Sequence, residues 1–541
     1  MKRYKLLVGG LSLVAAVHFN SCNKLDTLPT DRFTDENFWN YPENAEKMVN
    51  MAYNQLFSAD RLWNDEALSD NIFEGRSNTD QRAIRNGTAD PTLGRFGSEW
   101  SDLYGGIKTC HVYLGNVDRV PELDAVLKKR RIAEIRFIRA ALYFRLINFY
   151  GDVPFFTKDI TLDESKTISR TPKATIMTFI HQELDDCMVD LPSKDALPAD
   201  DKGRITKGAA SAFQARAYLY ESNWNKVLEY CENLIKKQAE FGAYTLFNSY
   251  SGLFTAANEY NSEVILDYAY VPQLKTWNKL YDAAPISAQA RLNGYAPLQS
   301  LVDNYITLDG NTIATDPNYR SDDPYVNRDP RMAATIVFHG SQWTDFDGTV
   351  RKIFIKPGSG ETDKERLDEY QGASANASPT GYYVKKYYDQ TATVKYDAGL
   401  NIIMFRYADV LLMYAEAKEA LGQLDAAIWD ITIKPIRKRA GFEAAKALDF
   451  PTSGDLKSIV RNERRSELAL EGLRYYDIVR WKAGKTYLDG QVFGAKYGGN
   501  SSYIKLDIRR FDESRDYLWS VPRTQIDLNK NLLPNNQGYS N

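Results

Sequence analysis

Residues 405–439 read FRYADVLLMYAEAKEALGQLDAAIWDITIKPIRKR. Apolar and small residues recur at three- and four-residue steps, the period of one helix face. The spacing predicts a helix from Phe405 to Leu421 and a second from Leu424 to Arg439, joined by the turn Gly422-Gln423. Ala408, Ala415 and Ala417 are small residues that let the two backbones approach closely. The same layout recurs earlier, with helices expected over Lys207 to Tyr220 and Trp224 to Lys236 around Glu221-Ser222-Asn223. There Ala209, Ala212 and Ala215 take the close positions. A further helix is predicted over Ile132 to Tyr150, with Ile135, Ile138, Leu142, Leu146 and Phe149 on one face. It stops at Gly151-Asp152-Val153-Pro154, since glycine and proline end a helix.

These helix-turn-helix units resemble tetratricopeptide-type hairpins, in which stacked pairs bury a shared core. The period is irregular, so an interrupted array is expected and not a regular solenoid. Between the units lie long polar segments rich in Gly, Asn, Asp, Tyr and Trp, roughly residues 60–110 and 241–402. Loops of that length are functional or disordered, and disordered chains are poor in aromatics. The expected fold is therefore mainly α: helical hairpins decorated by long ordered loops, with minor β content. No linker rich in Ser, Gly and Pro divides the chain, which points to one α-rich domain over residues 22–541.

The first residues supply an address. Lys2, Arg3 and Lys5 precede an apolar run from Leu6 to Val17, too short to span a bilayer, and His18-Phe19-Asn20-Ser21-Cys22 follows. Residues 1–21 read as a secretory signal peptide. Cys22 is placed as in a bacterial lipobox, where the cysteine is acylated and becomes the mature N-terminus, although Phe19 and Asn20 depart from the usual pattern. Two or three acyl chains give stable anchoring, so Cys22 is the expected lipid anchor. The formal charge is -3, and about -6 without the signal. Nucleic-acid binding needs clustered cations, and this balance offers no reason to expect it. Cys110, Cys187 and Cys231 form no metal-ligand spacing and read as buried thiols.

Glu463, Glu467 and Glu471 stand at four-residue spacing, where like charges repel unless cations intervene. Arg461, Arg464, Arg465, Arg474 and Arg480 are near in sequence. A structural charge network is the expectation here, in preference to acid-base catalysis. Sugar rings stack their C–H faces on aromatic planes while Asp, Asn and Arg take the hydroxyls. Two loop regions have that texture and supply the candidate ligand-binding residues. One runs from Trp63 through Asp70, Asn71 and Arg76 to Arg82; the other holds Trp277, Tyr281, Arg291 and Tyr295, with Trp343 further on. Trp100 and Tyr104 follow a helical pattern and are assigned to the core. There is no GxSxG, Walker, HExxH or Rossmann glycine pattern, so no enzyme, catalytic residue or cofactor is expected. Asp309-Gly310-Asn311 has a superficial likeness to a calcium loop without its regular carboxylates. A structural Ca²⁺ therefore has no support in the residues.

Several stretches together resemble the SusD/RagB family of outer-membrane nutrient-binding lipoproteins. They are Arg136-Phe137-Ile138-Arg139-Ala140 through Tyr143-Phe144 to Pro154, the segment Arg406–Gly422, RNERRSELALEGLRYYDIVRW from Arg461 to Trp481, and Asn327-Arg328-Asp329-Pro330-Arg331. Trp519-Ser520-Val521-Pro522 completes the order near the end. His111 stands where the family usually carries Asn, a packing or capping change. The resemblance implies a SusD-like fold and a cell-surface location. It also implies a SusC-like TonB-dependent transporter as partner and capture of oligosaccharide, or of peptide in some members. A glycoside hydrolase and a plain protein-interaction scaffold are the alternatives from other classes.

Overall fold

The computed structural model describes residues 34–75 and 79–541, and Cys22 and Arg76 lie outside them. Its principal helices are α1 (Pro42–Leu56), α2 (Gly94–Asn116), α3 (Ala125–Tyr150), α4 (Lys173–Asp190), α5 (Lys207–Tyr220), α6 (Trp224–Lys236), α7 (Tyr407–Ala420), α8 (Ala426–Ile431), α9 (Ile433–Ala440), α10 (Leu456–Glu467) and α11 (Arg474–Arg480). From α2 to α7, and on to α10, each long helix packs against the next. That is the hairpin array anticipated from the apolar spacing. Its core includes Phe96, Trp100, Ile107, Ile138, Leu142, Ile180, Leu184, Phe213 and Leu234. Asp124 and Thr206 cap α3 and α5 by accepting backbone N–H bonds, and Gly151 ends α3 at φ 69. Such caps satisfy helix-end groups that would otherwise lack partners.

Two boundaries differ from expectation. The predicted second helix over 424–439 is divided at Thr432 (φ -117, ψ -80). Proline lacks the N–H that an uninterrupted helix would use, and the break places Pro435 in the first turn of α9, where no partner is required. Much of 60–110 is helical and not loop. Short helices Ala59–Glu66 and Asp80–Arg85 are capped by Ser58 and Thr79, and α2 begins at Gly94. The glycines that disguised α2 include Gly106, where an added Cβ would lie 2.6 Å from a Leu142 methyl. A small residue there lets α2 and α3 touch.

The segment 241–402 builds a second core with little helix. Strands β1 (Ile72–Glu74), β2 (Val264–Tyr268), β3 (Tyr295–Pro297) and β4 (Ile402–Arg406) form the antiparallel pairs β1–β3 and β2–β4. The long excursion after β2 thus returns beside its point of departure and feeds α7. Trp277, Trp343, Tyr382, Tyr383, Tyr387 and Tyr396 are buried there with Ile336, Ile353 and Ile402. A chain without long helices needs bulky side chains to bury enough area, and aromatics supply the most per residue. Their abundance is explained first by this core. Among the described residues no helix is long and apolar enough to cross a membrane.

Candidate functional site

Most of the sequence-nominated ligand residues lie inside. Trp63 is fully buried against Tyr295, with ring centroids 5.8 Å apart. Trp343 is buried 4.3 Å from Tyr388, and the buried Trp277 donates its Nε1–H to the Leu400 carbonyl at 2.7 Å. None of these indoles offers a face to a sugar, which corrects their assignment to a stacking platform. Asp70 is likewise buried, between Arg474 (2.7 Å) and Arg465 (3.0 Å). Burial opposes its ionisation, but the two guanidiniums outweigh that and hold its carboxyl at about 2. Asn71 accepts from Arg465 Nε at 2.9 Å and donates to Glu66 at 3.3 Å. Arg82 is half-buried in Asp80–Arg85. Tyr281 and Tyr295 are half-buried, and Arg291 lies 5.3 Å over the Tyr281 ring while gripping Asp282 with two N–H bonds.

The three glutamates are neutralised, though not by their neighbours in sequence. Glu463 accepts from Arg331 and Arg437, each at 2.7 Å. Glu467 meets Arg406 at 2.6 Å, Arg331 at 2.9 Å and Arg439. Glu471, beyond the end of α10, meets Lys386 and Arg406 at 2.7 Å. The local arginines serve other acids: Arg464 pairs Asp409 and Asp477, Arg480 pairs Glu416, and Arg465 and Arg474 pair Asp70. Burial would raise the carboxyls of Glu463, Glu467 and Glu471, yet the surrounding cations hold all three below the ordinary range. A carboxylate so occupied neither donates nor collects a proton near neutrality. Lys386 and Arg406 also face Phe254 of the second core. The network therefore stitches the hairpins to the loop region.

His111 is buried against Phe156, and neither ring nitrogen has a hydrogen-bond partner among the described residues. Burial and nearby Arg139 pull it down to about 3, so it packs as a neutral ring. Cys110, Cys187 and Cys231 are free and buried. Among the described residues no group of three or more His, Cys, Asp or Glu side chains is placed to hold a metal ion.

A cleft of about 450 Å³ opens where the C-terminal end of α3, the segment 151–173 and α11 meet. That volume is typical of small-molecule sites. Tyr220, Tyr475, Tyr476 and Tyr517 contribute aromatic walls, and Asn148, Asp152, Arg170, Lys173, Lys482 and Asn536 contribute polar ones. The Tyr476 hydroxyl donates to Asp65 at 2.8 Å and accepts from Arg145. The Tyr517 hydroxyl accepts from Gly484 and donates to Glu513. Each ring is thereby fixed by a bond at its far end. Sequence reasoning missed this cleft. Gly151-Asp152 and Tyr475-Tyr476 stood out as motif residues, but nothing local signals that they converge with Arg170, Lys173 and Tyr220.

Hairpin array, aromatic second core and aromatic-polar cleft together make a helical scaffold with an opening of small-molecule size. The pattern of the SusD family matches residues 262–539, and that described as "Starch-binding associating with outer membrane" matches residues 24–219. The chain belongs to the SusD family. It is 29% identical to SusD-like protein P25 of Formosa agariphila over 400 residues, 71% of this chain and 69% of that one. It is 24% identical to the starch-binding protein SusD of Bacteroides thetaiotaomicron, covering 90% and 86%. The crystal structure of a SusD-like carbohydrate-binding protein from Bacteroides fragilis superposes with a TM-score of 0.82 at 27% identity, covering 92% of this chain and 99% of that one.

Proposed function

We propose that this chain is a glycan-binding lipoprotein of the outer cell surface. It captures oligosaccharide without transforming it and passes it to a SusC-like TonB-dependent transporter, with acylated Cys22 as the tether. The observation that carries the reading is similarity along nearly the whole chain to proteins named for starch and carbohydrate binding. The description of the N-terminal family match as associating with the outer membrane supports the location. The chemistry of the interior agrees, because the motif carboxylates are locked in ion pairs and hold the architecture together. No bound metal or cofactor is needed for such capture. Isothermal titration of the purified protein against a panel of soluble glycans tests the proposal, and a saturable heat is expected with at least one. Silence across the panel with a peptide found as the co-purified ligand would replace it, as would release of hydrolysis products from any glycan.

A further inference from the structure

We propose that the cleft between α3 and α11 binds the anionic group of an acidic saccharide, a uronate carboxylate or a sulfate ester. The proposal rests on the glycan-binding reading and names the substrate class.

The cleft gathers three cations that no carboxylate answers within ion-pair distance among the described residues. Elsewhere the buried arginines Arg331, Arg406 and Arg464 each meet a carboxylate, while Arg328 and Arg509 stand singly, held by backbone carbonyls. Arg170, Lys173 and Lys482 line the cleft and form no ion pair among the described residues. Arg170 directs its N–H groups at the carbonyls of Asp152 (2.7 Å), Pro534 (2.8 Å) and Tyr150 (3.3 Å), and at the Asn536 side-chain oxygen. These dipoles hold the guanidinium in place without cancelling its charge. The Lys173 ammonium donates to Asn148 Oδ1 at 3.0 Å, which leaves two of its three N–H donors free. Lys482 reaches over the Tyr517 ring, 4.2 Å from the centroid.

Counter-charge is scarce. Asp152 alone among the lining residues is acidic, and it accepts the Lys173 backbone N–H at 2.8 Å. Nearby Glu221 is bound to His181 at 2.7 Å, and Glu513 accepts from Tyr517. Arg480 is offset by Glu416 and Asp477. The cleft therefore presents a net positive charge within partly desolvated walls, where attraction for an anion is stronger than in water. Burial, with Lys482 close by, already pulls Lys173 down to about 8, a cost that a bound anion would relieve. Tyr220 lines the same space, and its hydroxyl makes no hydrogen bond among the described residues. Anion, hydroxyl and ring faces thus meet three matching kinds of group in one cleft.

The test is titration of the purified protein with three probes of equal length: oligogalacturonate, a sulfated galactan oligosaccharide and a neutral β-glucan oligosaccharide. Tighter binding of one charged probe than of the neutral one, by tenfold or more at low salt, is expected. The charged probe that binds identifies carboxylate or sulfate as the group held. The double variant K173Q/K482Q should lose that preference while keeping its unfolding midpoint, and K173R should retain it. Equal or tighter binding of the neutral probe would overturn the inference and leave the glycan-binding proposal standing. Undiminished acidic binding by K173Q/K482Q would overturn the location. Binding of none of the three, together with silence across the wider panel, would remove both.

Discussion

At the residue scale, ionisation inside the chain is controlled by partners, and the exceptions are informative. Glu467 is a heavily engaged acid, touching Arg331, Arg406 and Arg439. Removing its charge takes one carboxylate from each of three buried cations, although Arg331 keeps Asp329 and Glu463, Arg406 keeps Glu263 and Glu471, and Arg439 keeps Glu263. Breaking a buried pair from one side costs up to about 3–5 kcal/mol. Urea unfolding of Glu467→Gln should show a loss of that order, and a loss below about 1 kcal/mol would mean that the network adds little. Asp267 is the opposite case. Asn401 donates to its Oδ2 at 2.9 Å, while Oδ1 is buried without a hydrogen-bond partner among the described residues. Burial pushes its carboxyl up to about 7. A folded value above the unfolded one means that the native state holds the extra proton. The stabilisation is thus complete below about pH 4 and is lost as pH rises towards 7. Unfolding free energies between pH 4.5 and 7.5 should include a fall on the order of 3–4 kcal/mol that Asp267→Asn removes.

At the element scale, the helices were legible wherever a single apolar face carried the signal. The span from Lys207 to Lys236 reads correctly because Ala, Leu and Val positions repeat at helical spacing and Asn223 caps the second helix. Helix α2 was harder, since its glycines weaken propensity by about 1 kcal/mol each. Tertiary contact with Leu142 explains one of them. Two neighbouring substitutions separate these effects. Gly105 is exposed with open space around an added Cβ, so Gly105→Ala should raise stability by up to about 1 kcal/mol. Gly106→Val drives a branched side chain into the α2–α3 contact and should lower it by about 1–3 kcal/mol. Chemical denaturation of the two variants side by side checks both signs.

At the scale of the whole molecule, the proposed function adds a tether at Cys22 to the folded body. Cys22→Ala should leave glycan affinity unchanged in titration but move the protein from the membrane to the soluble fraction and abolish uptake. Retained uptake would show that the tether is dispensable. The sequence by itself determined the helical hairpins and the family, because each is written in local spacing or in a short contiguous motif. It also showed that Glu463, Glu467 and Glu471 required cations. Only the tertiary structure decided which cations answered, since Arg331, Arg406 and Arg439 approach α10 from distant segments. The aromatic loops were subject to the same limit. Tyr and Trp suit a core and a sugar platform equally well, and burial, which assigned Trp63, Trp277 and Trp343 to the core, is a property of the folded whole. The cationic cleft was invisible for the same reason. Its charge is a sum over residues from Asn148 to Asn536 that meet only after the chain has folded.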